Sequence, residues 1–432
     1  MLPDPKDTGR RRLHRTVALL LVALLPLALT ATFWRSMPPR NVTMATGTAG
    51  GAYEAIGQRY RAILARHGVR LELVNTSGAV DNLARLRDPR SRVSVALVQG
   101  GITSETESPG IQSLGTVGYE PVWVFYRGFE LSTTTTGWPK GKRVNVGPEG
   151  SGTRQLSLDM LGVLGVDPGT MRLSGLDGDA AADALLRGEI DMVMLVASWE
   201  VPAVRRLLTA ERIKVASFAR ADAHVALRPY LSKVILPQGV ADLAHNRPPT
   251  ELALVAPKMS LLVRADLHPA IQHLLLQAAA EVHASPGVFQ RAGEFPAPEP
   301  FDVPLSETAS NYYKSGSPFL QRYLPFWIAA LASQMLILLI PLLGIAYPLL
   351  RVAPGLYGWG MRRRIYRLYG ELRFLDAQLD ARDRGAPVDD LRAELDRLER
   401  NANRMHTPLA FSQMLFILRD HINLVRGRLD RR

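Results

Sequence analysis

The sequence predicts a two-lobed α/β domain between two transmembrane helices, followed by an α-helical, heptad-patterned tail. Three observations lead to this prediction. Strand-like and helix-like segments alternate from residue 41 to residue 284, two long apolar segments flank that region, and apolar residues recur at helical spacing after the second segment. Regular alternation of strands and helices is typical of sheets covered by helices.

The two apolar segments, Val17–Trp34 and Pro325–Leu350, contain no charged residue. About 20 apolar residues suffice for a helix to cross the hydrocarbon core of a membrane. The sequence therefore predicts a cytoplasmic N-terminus (1–15), a transmembrane helix (16–35), an outer domain (36–323), a second transmembrane helix (324–350) and a cytoplasmic helical tail (351–432).

Basic residues decide the predicted orientation. Residues 1–15 hold five basic and two acidic residues, residues 351–432 hold seventeen and eleven, and residues 36–323 carry only +2 of the net charge of +12. Because Lys and Arg are enriched in cytoplasmic loops, both termini are predicted inside and the main domain outside. Excess charge at the flanks, not on one folded face, argues against nucleic-acid binding.

A cleavable signal peptide is the alternative interpretation of the first apolar segment, since a basic start and small residues also fit one. Bulky Phe33 and Trp34 at its end favour an uncleaved anchor, because aromatic residues are enriched at membrane interfaces.

The chain has 432 residues and no cysteine, which excludes disulfides and thiolate metal sites. The outer domain, at about 285 residues, has the size at which a single hydrophobic core tends to split into two. Two lobes are therefore expected.

The elements of the outer domain follow from short β-branched runs and the helix-length stretches between them. Strands are predicted at Asn41–Ala45, Arg70–Asn75, Val93–Val98, Val122–Tyr126, Arg143–Val146, Asp191–Val196, Arg212–Phe218 and Glu251–Val263. Helices are predicted at Gly51–His67, Ala79–Leu86, Ser151–Leu164, Asp179–Arg187, Glu200–Leu208 and Pro269–His283. This order predicts parallel sheets, and the Pro-rich stretch Phe295–Pro304 with Asn311–Ser317 is predicted to be a tether to the membrane.

Open parallel sheets bind ligands beyond the carboxyl ends of their strands, so the strand-to-helix turns are the candidate site. The glycine-rich turns Thr46–Tyr53 and Pro148–Arg154 each open a helix, where free N–H groups attract an anion. Asn75–Ala79 and Gln99–Gly100 are two further candidate turns. The alternative is that these residues serve only tight turns, helix caps or solvated loops.

Three side chains could add to such a site. Arg154 could pair with a carboxylate in bidentate geometry, and Tyr53 and Trp199 could form an aromatic wall. A surface arginine and ordinary core aromatics are the alternatives. The first turn lacks the spacing of a dinucleotide fingerprint, and no Gly-Lys-Ser/Thr of a P-loop occurs.

Catalysis finds little support in the sequence. The nine histidines are scattered without metal-ligand spacing, and no G-x-S-x-G nucleophile turn occurs. We therefore expect no enzymatic activity, no cofactor and no bound metal.

Several of these segments together resemble a known family. They are Met44–Tyr53, Thr76–Gly78 with Asn82-Leu83, Val95–Gln99, Gly141–Gly147 leading to Gly150–Thr153, and Leu185–Asp191. Over roughly residues 40–295 the sequence resembles the extracytoplasmic solute receptors of bacterial tripartite (TRAP) transporters, in their TAXI branch, which have a periplasmic binding protein type II-like fold. The resemblance implies a periplasmic domain at the bacterial inner membrane, whose two lobes close on a small carboxylate such as an amino acid or a dicarboxylate.

By this resemblance the ligand contacts residues of all four turns. They are Thr46, Gly47, Thr48, Gly51, Tyr53, Thr76, Ser77, Gln99, Ser151 and Thr153, with Trp199 as a further candidate beside Arg154. The implied partners are transporter subunits in the inner membrane. The chain departs from the family in two ways. Members are usually secreted or lipid-anchored, whereas this chain has a second apolar segment and a tail. It also has Ala79 at a position where the family often has glycine or serine.

The tail carries three sets of apolar residues spaced three and four apart: Ile365–Leu379, Val388–Leu398 and Phe411–Leu429. Such spacing predicts helices that bury one face against partner helices, in a small bundle or a homo-oligomer. The cluster Arg362–Arg364 could contact anionic lipid headgroups.

Two alternatives follow for function: a transmembrane sensor that passes lobe closure to a cytoplasmic signalling partner, or an envelope scaffold that binds no small ligand.

Overall fold

The computed structural model describes residues 37–131, 140–299, 302–316, 324, 326–381, 388–405 and 407–431. The chain divides into two units, Met1–Ser333 and Gln334–Arg432. The predicted transmembrane helix at 16–35 lies outside the described residues.

The strands are numbered in chain order. They are β1 (Asn41–Gly47), β2 (Arg70–Asn75), β3 (Val93–Gln99), β4 (Ile111–Tyr119), β5 (Val122–Tyr126), β6 (Arg143–Asn145), β7 (Arg172–Ser174), β8 (Met192–Val196), β9 (Lys214–Val215), β10 (Leu231–Leu236) and β11 (Leu252–Arg264). The α-helices are α1 (Ala52–Arg66), α2 (Ala79–Arg87), α3 (Gly152–Val163), α4 (Gly178–Arg187), α5 (Pro202–Thr209), α6 (Ala221–Leu227), α7 (Pro269–His283), α8 (Glu307–Ser315), α9 (Phe326–Ala381), α10 (Val388–Asn403) and α11 (Leu409–Leu429).

Every strand and helix predicted for the outer domain is present, and β2, β5 and α7 have the predicted bounds. The prediction missed β4, β7, β10, α6 and α8. Strand β4 reads Ile-Gln-Ser-Leu-Gly-Thr-Val-Gly-Tyr, and its two glycines weaken the strand pattern in the sequence.

Two sheets, each covered by helices, form the two lobes of the first unit. In the first sheet the strand order is β10-β11-β3-β1-β2, and β4 also pairs with β11. In the second the order is β7-β6-β8-β5-β9. We call the regions around the first and the second sheet the first lobe and the second lobe. The predicted two-lobed α/β fold is thus confirmed for the outer domain.

The prediction of parallel sheets is wrong in part. Strand β1 is parallel to β2 and β3, and β6 is parallel to β7 and β8. However, β11 is antiparallel to β3, β4 and β10, and β5 is antiparallel to β8 and β9. The direction of these strands depends on how segments that are distant in sequence pack side by side. No local sequence pattern encodes that packing.

The chain passes between the lobes twice. One passage lies at Glu120-Pro121, between β4 and β5, and the other lies within β11. Residues Leu252–Ala256 of β11 contribute to the core of the second lobe, whereas Met259–Val263 contribute to cores of the first. The backbone N–H of Glu120 donates to the carbonyl of Pro257 at 3.0 Å, so the two passages are bonded side by side.

The Pro-rich segment is part of the first lobe, not a tether as predicted. Phe295 and Val303 are buried, at 2% and 4% exposure. Thr116 on β4 exchanges backbone hydrogen bonds with Ala297, and Ser306 caps α8 by accepting from the Ala309 N–H at 3.0 Å. The segment satisfies backbone groups along β4 and buries apolar side chains, which its proline content alone did not reveal.

The start of α9 packs on the first lobe. The Trp327 indole N–H donates to the carbonyl of His67 at 2.9 Å, and Phe326 lies edge-on to the His67 ring. Helix α9 includes most of the segment 324–350 that the sequence predicts to cross a membrane. Within the described residues, no helix has both the length and the apolar character for a membrane crossing, so that prediction is not supported.

The second unit has its own apolar core. Its buried residues come from all three predicted apolar sets and include Ile365, Leu368, Leu398, Leu418 and Ile422. Ion pairs such as Arg428–Asp376 (2.7 Å) and Arg426–Asp396 (2.6 Å) join the helices at their polar faces. Residues 382–387, between the first two apolar sets, lie outside the described residues, and Thr407-Pro408 lies between α10 and α11.

Candidate functional site

In the turn between β1 and α1, the Gly50 N–H donates to Glu54 Oε2 at 2.6 Å and the Gly51 N–H donates to the Thr48 carbonyl at 3.0 Å. Gly47 and Gly50 have φ values of +96° and +75°, a conformation that side chains other than glycine rarely adopt. Helix α1 begins after Gly51, and no side chain caps its first N–H groups. A helix start without a cap carries partial positive charge and free donors, which suits an anionic group.

The turn between β2 and α2 repeats this arrangement. Gly78, with φ of +132°, precedes α2, whose start also lacks a side-chain cap. Thr76 donates from Oγ1 to Asn82 Oδ1 at 2.5 Å, and Asn82 Nδ2 donates to the Leu97 carbonyl at 2.8 Å. Thr76 therefore ties the turn to α2 and to β3.

In the second lobe, the turn before α3 is capped by its own side chain. Ser151 Oγ accepts from the Arg154 N–H at 3.1 Å and donates to the Pro148 carbonyl at 2.7 Å. Thr153 Oγ1 accepts from the Val196 N–H at 3.2 Å, which joins α3 to the end of β8. The turn is thus held rigidly against the sheet.

The two lobes touch at these turns. The Asp81 N–H donates to the Gly150 carbonyl at 3.2 Å, and Gln99 Nε2 donates to the Gly152 carbonyl at 3.5 Å. A Cβ atom added to Gly152 would lie 2.5 Å from Gln99 Oε1. A side chain at residue 152 would therefore require the Gln99 side chain to shift.

Between the lobes lies a cleft with an empty volume of about 1050 Å³, partly open to solvent. Nine of the twelve sequence-predicted residues line it: Thr46, Gly47, Thr48, Gly51, Tyr53, Ser77, Gln99, Ser151 and Thr153. The helix starts of α1, α2, α3 and α4 meet around it. The structure therefore brings together turns that are more than a hundred residues apart in sequence.

The other three predicted residues lie elsewhere. Thr76 is occupied within its turn, as described above. Arg154 folds back so that Nη1 donates to the Gly147 carbonyl at 3.3 Å. Trp199 lines a second, neighbouring cleft, where its ring lies edge-on to Phe289 and beneath the Arg205 guanidinium. Tyr53 and Trp199 thus do not form one aromatic wall around the first cleft.

Glu120 is a buried acidic residue of the cleft that sequence reasoning missed. Its side chain is only 4% exposed, and its Oε2 accepts a hydrogen bond from the Tyr53 hydroxyl at 2.8 Å. Burial raises the pKa of the Glu120 carboxyl to about 8, and the Tyr53 hydrogen bond opposes this rise. A single acidic residue directly before the apolar strand Val122–Tyr126 was the available signal.

The other charges around the cleft are also acidic. Asp177 caps α4 by accepting from the Ala180 N–H at 2.9 Å, and Asp179 pairs with Arg206 at 3.2 Å. Among the described residues that line the cleft, none is a lysine, an arginine or a histidine. In the described part of the cleft wall, the helix starts are therefore the source of positive potential for an anion.

Comparisons with known proteins bear on the fold. The model of the NMT1-like family matches residues 118–315, which is less than half of the chain. Among curated proteins, no sequence matches. The family match and the two-sheet topology support a fold like that of type II periplasmic binding proteins.

Solved structures similar to this chain include two binding proteins. One is the periplasmic aliphatic sulphonate binding protein SsuA from Escherichia coli, with 14% identity, a TM-score of 0.35, and coverage of 69% of this chain and 79% of that one. Another is a nutrient binding protein from Burkholderia cenocepacia bound to methionine, with 13% identity, a TM-score of 0.33, and coverage of 63% and 95%. Because both TM-scores are below 0.5, the fold is inferred from the sheet topology of this chain itself.

Proposed function

We propose that the two-lobed domain is an extracytoplasmic solute-binding receptor for a small carboxylate, associated with TRAP-type secondary transport. The observation that carries the proposal is the meeting of uncapped helix starts at Gly51 and Gly78 in one interlobe cleft. Backbone N–H groups at helix starts bind carboxylates without a cationic side chain. The proposal places the domain on the periplasmic side of the bacterial inner membrane, and the transporter as its partner.

The hydroxyl groups of the cleft complement these N–H groups. Thr48, Ser77 and Thr153 lie on three different turns and line the same space. Hydroxyls can donate to a carboxylate and accept from a ligand donor, so they can orient a polar solute. We propose that the nine cleft-lining residues contact the ligand and that Thr76 and Arg154 hold the turns in place.

Lobe closure would supply the signal that a partner reads. The contacts Asp81–Gly150 and Gln99–Gly152 join the lobes in this structure, and a wider opening of the cleft would break them. A ligand held by both lobes favours that state because it binds the closed form more tightly. A transporter that recognises the closed surface would then distinguish loaded from empty receptor.

A thermal-shift assay on the full-length protein tests the proposal. Amino acids, dicarboxylates and keto acids are added singly at millimolar concentration. A ligand at about a hundred times its Kd stabilises the folded state by about 2.7 kcal/mol, which raises the melting temperature by several degrees. No shift with any of these compounds would overturn the proposal.

A matched pair of variants sharpens the test. A Cβ atom at Gly51 would lie 3.0 Å from the Thr48 carbonyl oxygen, so Gly51→Val distorts the turn before α1. Gly162→Val is the control, because a Cβ there meets nothing within 4 Å. We expect Gly51→Val to lose the ligand-induced shift and Gly162→Val to keep it.

A sensor that signals to a cytoplasmic partner is a second candidate, favoured by the contact of Trp327 with His67. This contact links the first lobe to the start of α9, a helix 56 residues long. Deletion of residues 355–432 separates the candidates. Solute uptake that survives the deletion supports the transport receptor, whereas loss of a ligand-dependent response with intact binding supports the sensor.

A further inference from the structure

Glu120 occupies an unusual position in the cleft. It lies where the chain passes from the first lobe to the second, directly after β4, and its side chain forms part of the cleft wall. The side chain is almost fully buried. A carboxyl group so placed loses hydration and needs partners to compensate.

Among the described residues, Glu120 has one side-chain hydrogen bond, from Tyr53. Asn145, another buried polar residue of the domain, is better satisfied. Asn145 Oδ1 accepts from Ser174 Oγ at 3.1 Å and from the Leu176 N–H at 2.7 Å, while its Nδ2 donates to the Leu176 carbonyl. Asn145 therefore has a structural role, whereas the carboxyl of Glu120 has capacity left for a ligand.

The charged groups around Glu120 come from several elements. Tyr53 lies on α1, and Asp177 and Asp179 at the start of α4 line the cleft from the second lobe. On the neighbouring strands, Lys258 pairs with Glu299 and Tyr119 donates to Glu294 at 2.8 Å. No basic side chain among the described residues of the cleft balances Glu120.

We infer that Glu120 binds a protonated amino group of the ligand, so that the solute is a zwitterionic α-amino acid and not a dicarboxylate. This inference rests on the proposed function and names the substrate class. Tyr53, the second residue of α1, extends its hydroxyl to Glu120, and the Glu120 carboxyl lines the same cleft as the helix start whose N–H groups would hold the ligand carboxylate. An α-amino acid carries its two charged groups on one carbon and can meet both.

A dicarboxylate fits this charge pattern poorly. Its second carboxylate would meet Asp177 and Asp179 and would oppose ionisation of Glu120, and no basic side chain is present among the described residues that line the cleft. Like charges brought together in a partly dry cleft repel each other more strongly than in water. A keto acid or an N-acetylated amino acid keeps the carboxylate but cannot offer a cation to Glu120.

Binding an ammonium group has a measurable consequence for protons. Burial raises the pKa of Glu120 to about 8, so most molecules hold a proton there at pH 7. A ligand cation favours the ionised carboxylate and drives this proton into solution. An amino acid should therefore release nearly one proton on binding.

Titration calorimetry of the full-length protein at pH 7, in two buffers of different ionisation enthalpy, tests the inference. The panel contains free amino acids, their N-acetyl derivatives, the matching keto acids, and dicarboxylates. We expect free amino acids to bind with release of about one proton and the amine-free compounds to bind at least a hundredfold more weakly. Equal binding of amine-free compounds without proton release would overturn the inference but leave the proposed function intact. No binding by any compound would overturn both.

Glu120→Gln is the decisive variant, and circular dichroism checks its folding. We expect it to weaken amino-acid binding at least a hundredfold and to abolish proton release. Glu294→Gln is the matched control, because Glu294 accepts from Tyr119 in another Tyr–Glu pair that does not line the cleft. If Glu120→Gln does not fold, Tyr53→Phe supplies the second measurement. Loss of the Tyr53 hydrogen bond to Glu120 should change proton release, whereas Glu294→Gln should leave it unchanged. Unchanged affinity and proton release in Glu120→Gln would contradict the inference.

Discussion

Gly78 of the first lobe and Ser151 of the second lie so close that a Cβ atom on Gly78 would come within 3.0 Å of the Ser151 Cα atom. This contact brings the starts of α2 and α3 together at the edge of the cleft. Because the nearest atom belongs to the backbone, it cannot move aside as a flexible side chain would. The close approach of the lobes thus depends on the absence of a side chain at residue 78.

We predict that Gly78→Ala weakens ligand binding at least tenfold, because the lobes cannot close fully. The control is Gly110→Ala: Gly110 also has a positive φ, +80°, but a Cβ there meets nothing within 4 Å. Both variants carry the backbone cost of a left-handed residue, about 1 kcal/mol or more. Calorimetric affinities that fall equally in the two variants would contradict a role of Gly78 in closure.

Tyr53→Phe should destabilise the domain by about 1–3 kcal/mol, because it removes the hydrogen bond to a buried carboxyl group. The same substitution at Tyr119 removes a bond to Glu294, whose side chain is more exposed. Urea unfolding gives both free energies. If Tyr53→Phe lowers the free energy of unfolding less than Tyr119→Phe does, the bond to Glu120 is not important for stability.

Stability should change with pH in a way that Glu120 explains. Burial raises the pKa of Glu120 from 4.5 in the unfolded chain to about 8 in the folded protein, so the folded state holds the proton more tightly. Its contribution is fully present below pH 4.5 and is lost as pH rises towards 8, by about 1.4 kcal/mol per unit of pKa difference. Glu120→Gln should remove this fall, which unfolding curves at several pH values will reveal.

Two buried histidines have the opposite effect. Burial lowers the pKa of His273 and of His283 from 6.5 to about 4. The unfolded chain therefore binds protons first, and stability falls as pH drops from 6.5 towards 4. We expect His273→Leu to flatten this part of the profile. An unchanged slope below pH 6.5 would contradict the assignment.

Ile422→Ala should destabilise the second unit by about 2–5 kcal/mol, since Ile422 is fully buried in its core. Leu424→Ala is the control, because Leu424 is 59% exposed on the same helix. Helical circular dichroism followed during urea unfolding measures the difference. Equal effects of the two substitutions would show that the apolar core of this unit is not formed as described.

The sequence by itself determined many of the local elements and nine residues of the cleft. Arg70–Asn75, Val122–Tyr126 and Pro269–His283 have the predicted bounds because propensity and apolar spacing act over a few residues. The strand-to-helix turns also revealed nine cleft residues, since glycines and hydroxyls at such junctions mark close approach and free N–H groups.

Only the tertiary structure decided the direction of the strands, the packing of the Pro-rich segment on β4, and the charge of the cleft. Strand β11 pairs with β3 and β4 across more than 130 residues, and no local pattern encodes such a pairing. Arg154 looked like a ligand partner in sequence, yet it bonds to its own turn. Glu120 looked like an ordinary charge before a strand, and its burial beside Tyr53 became visible only when distant segments were brought together, because desolvation depends on everything that surrounds a group.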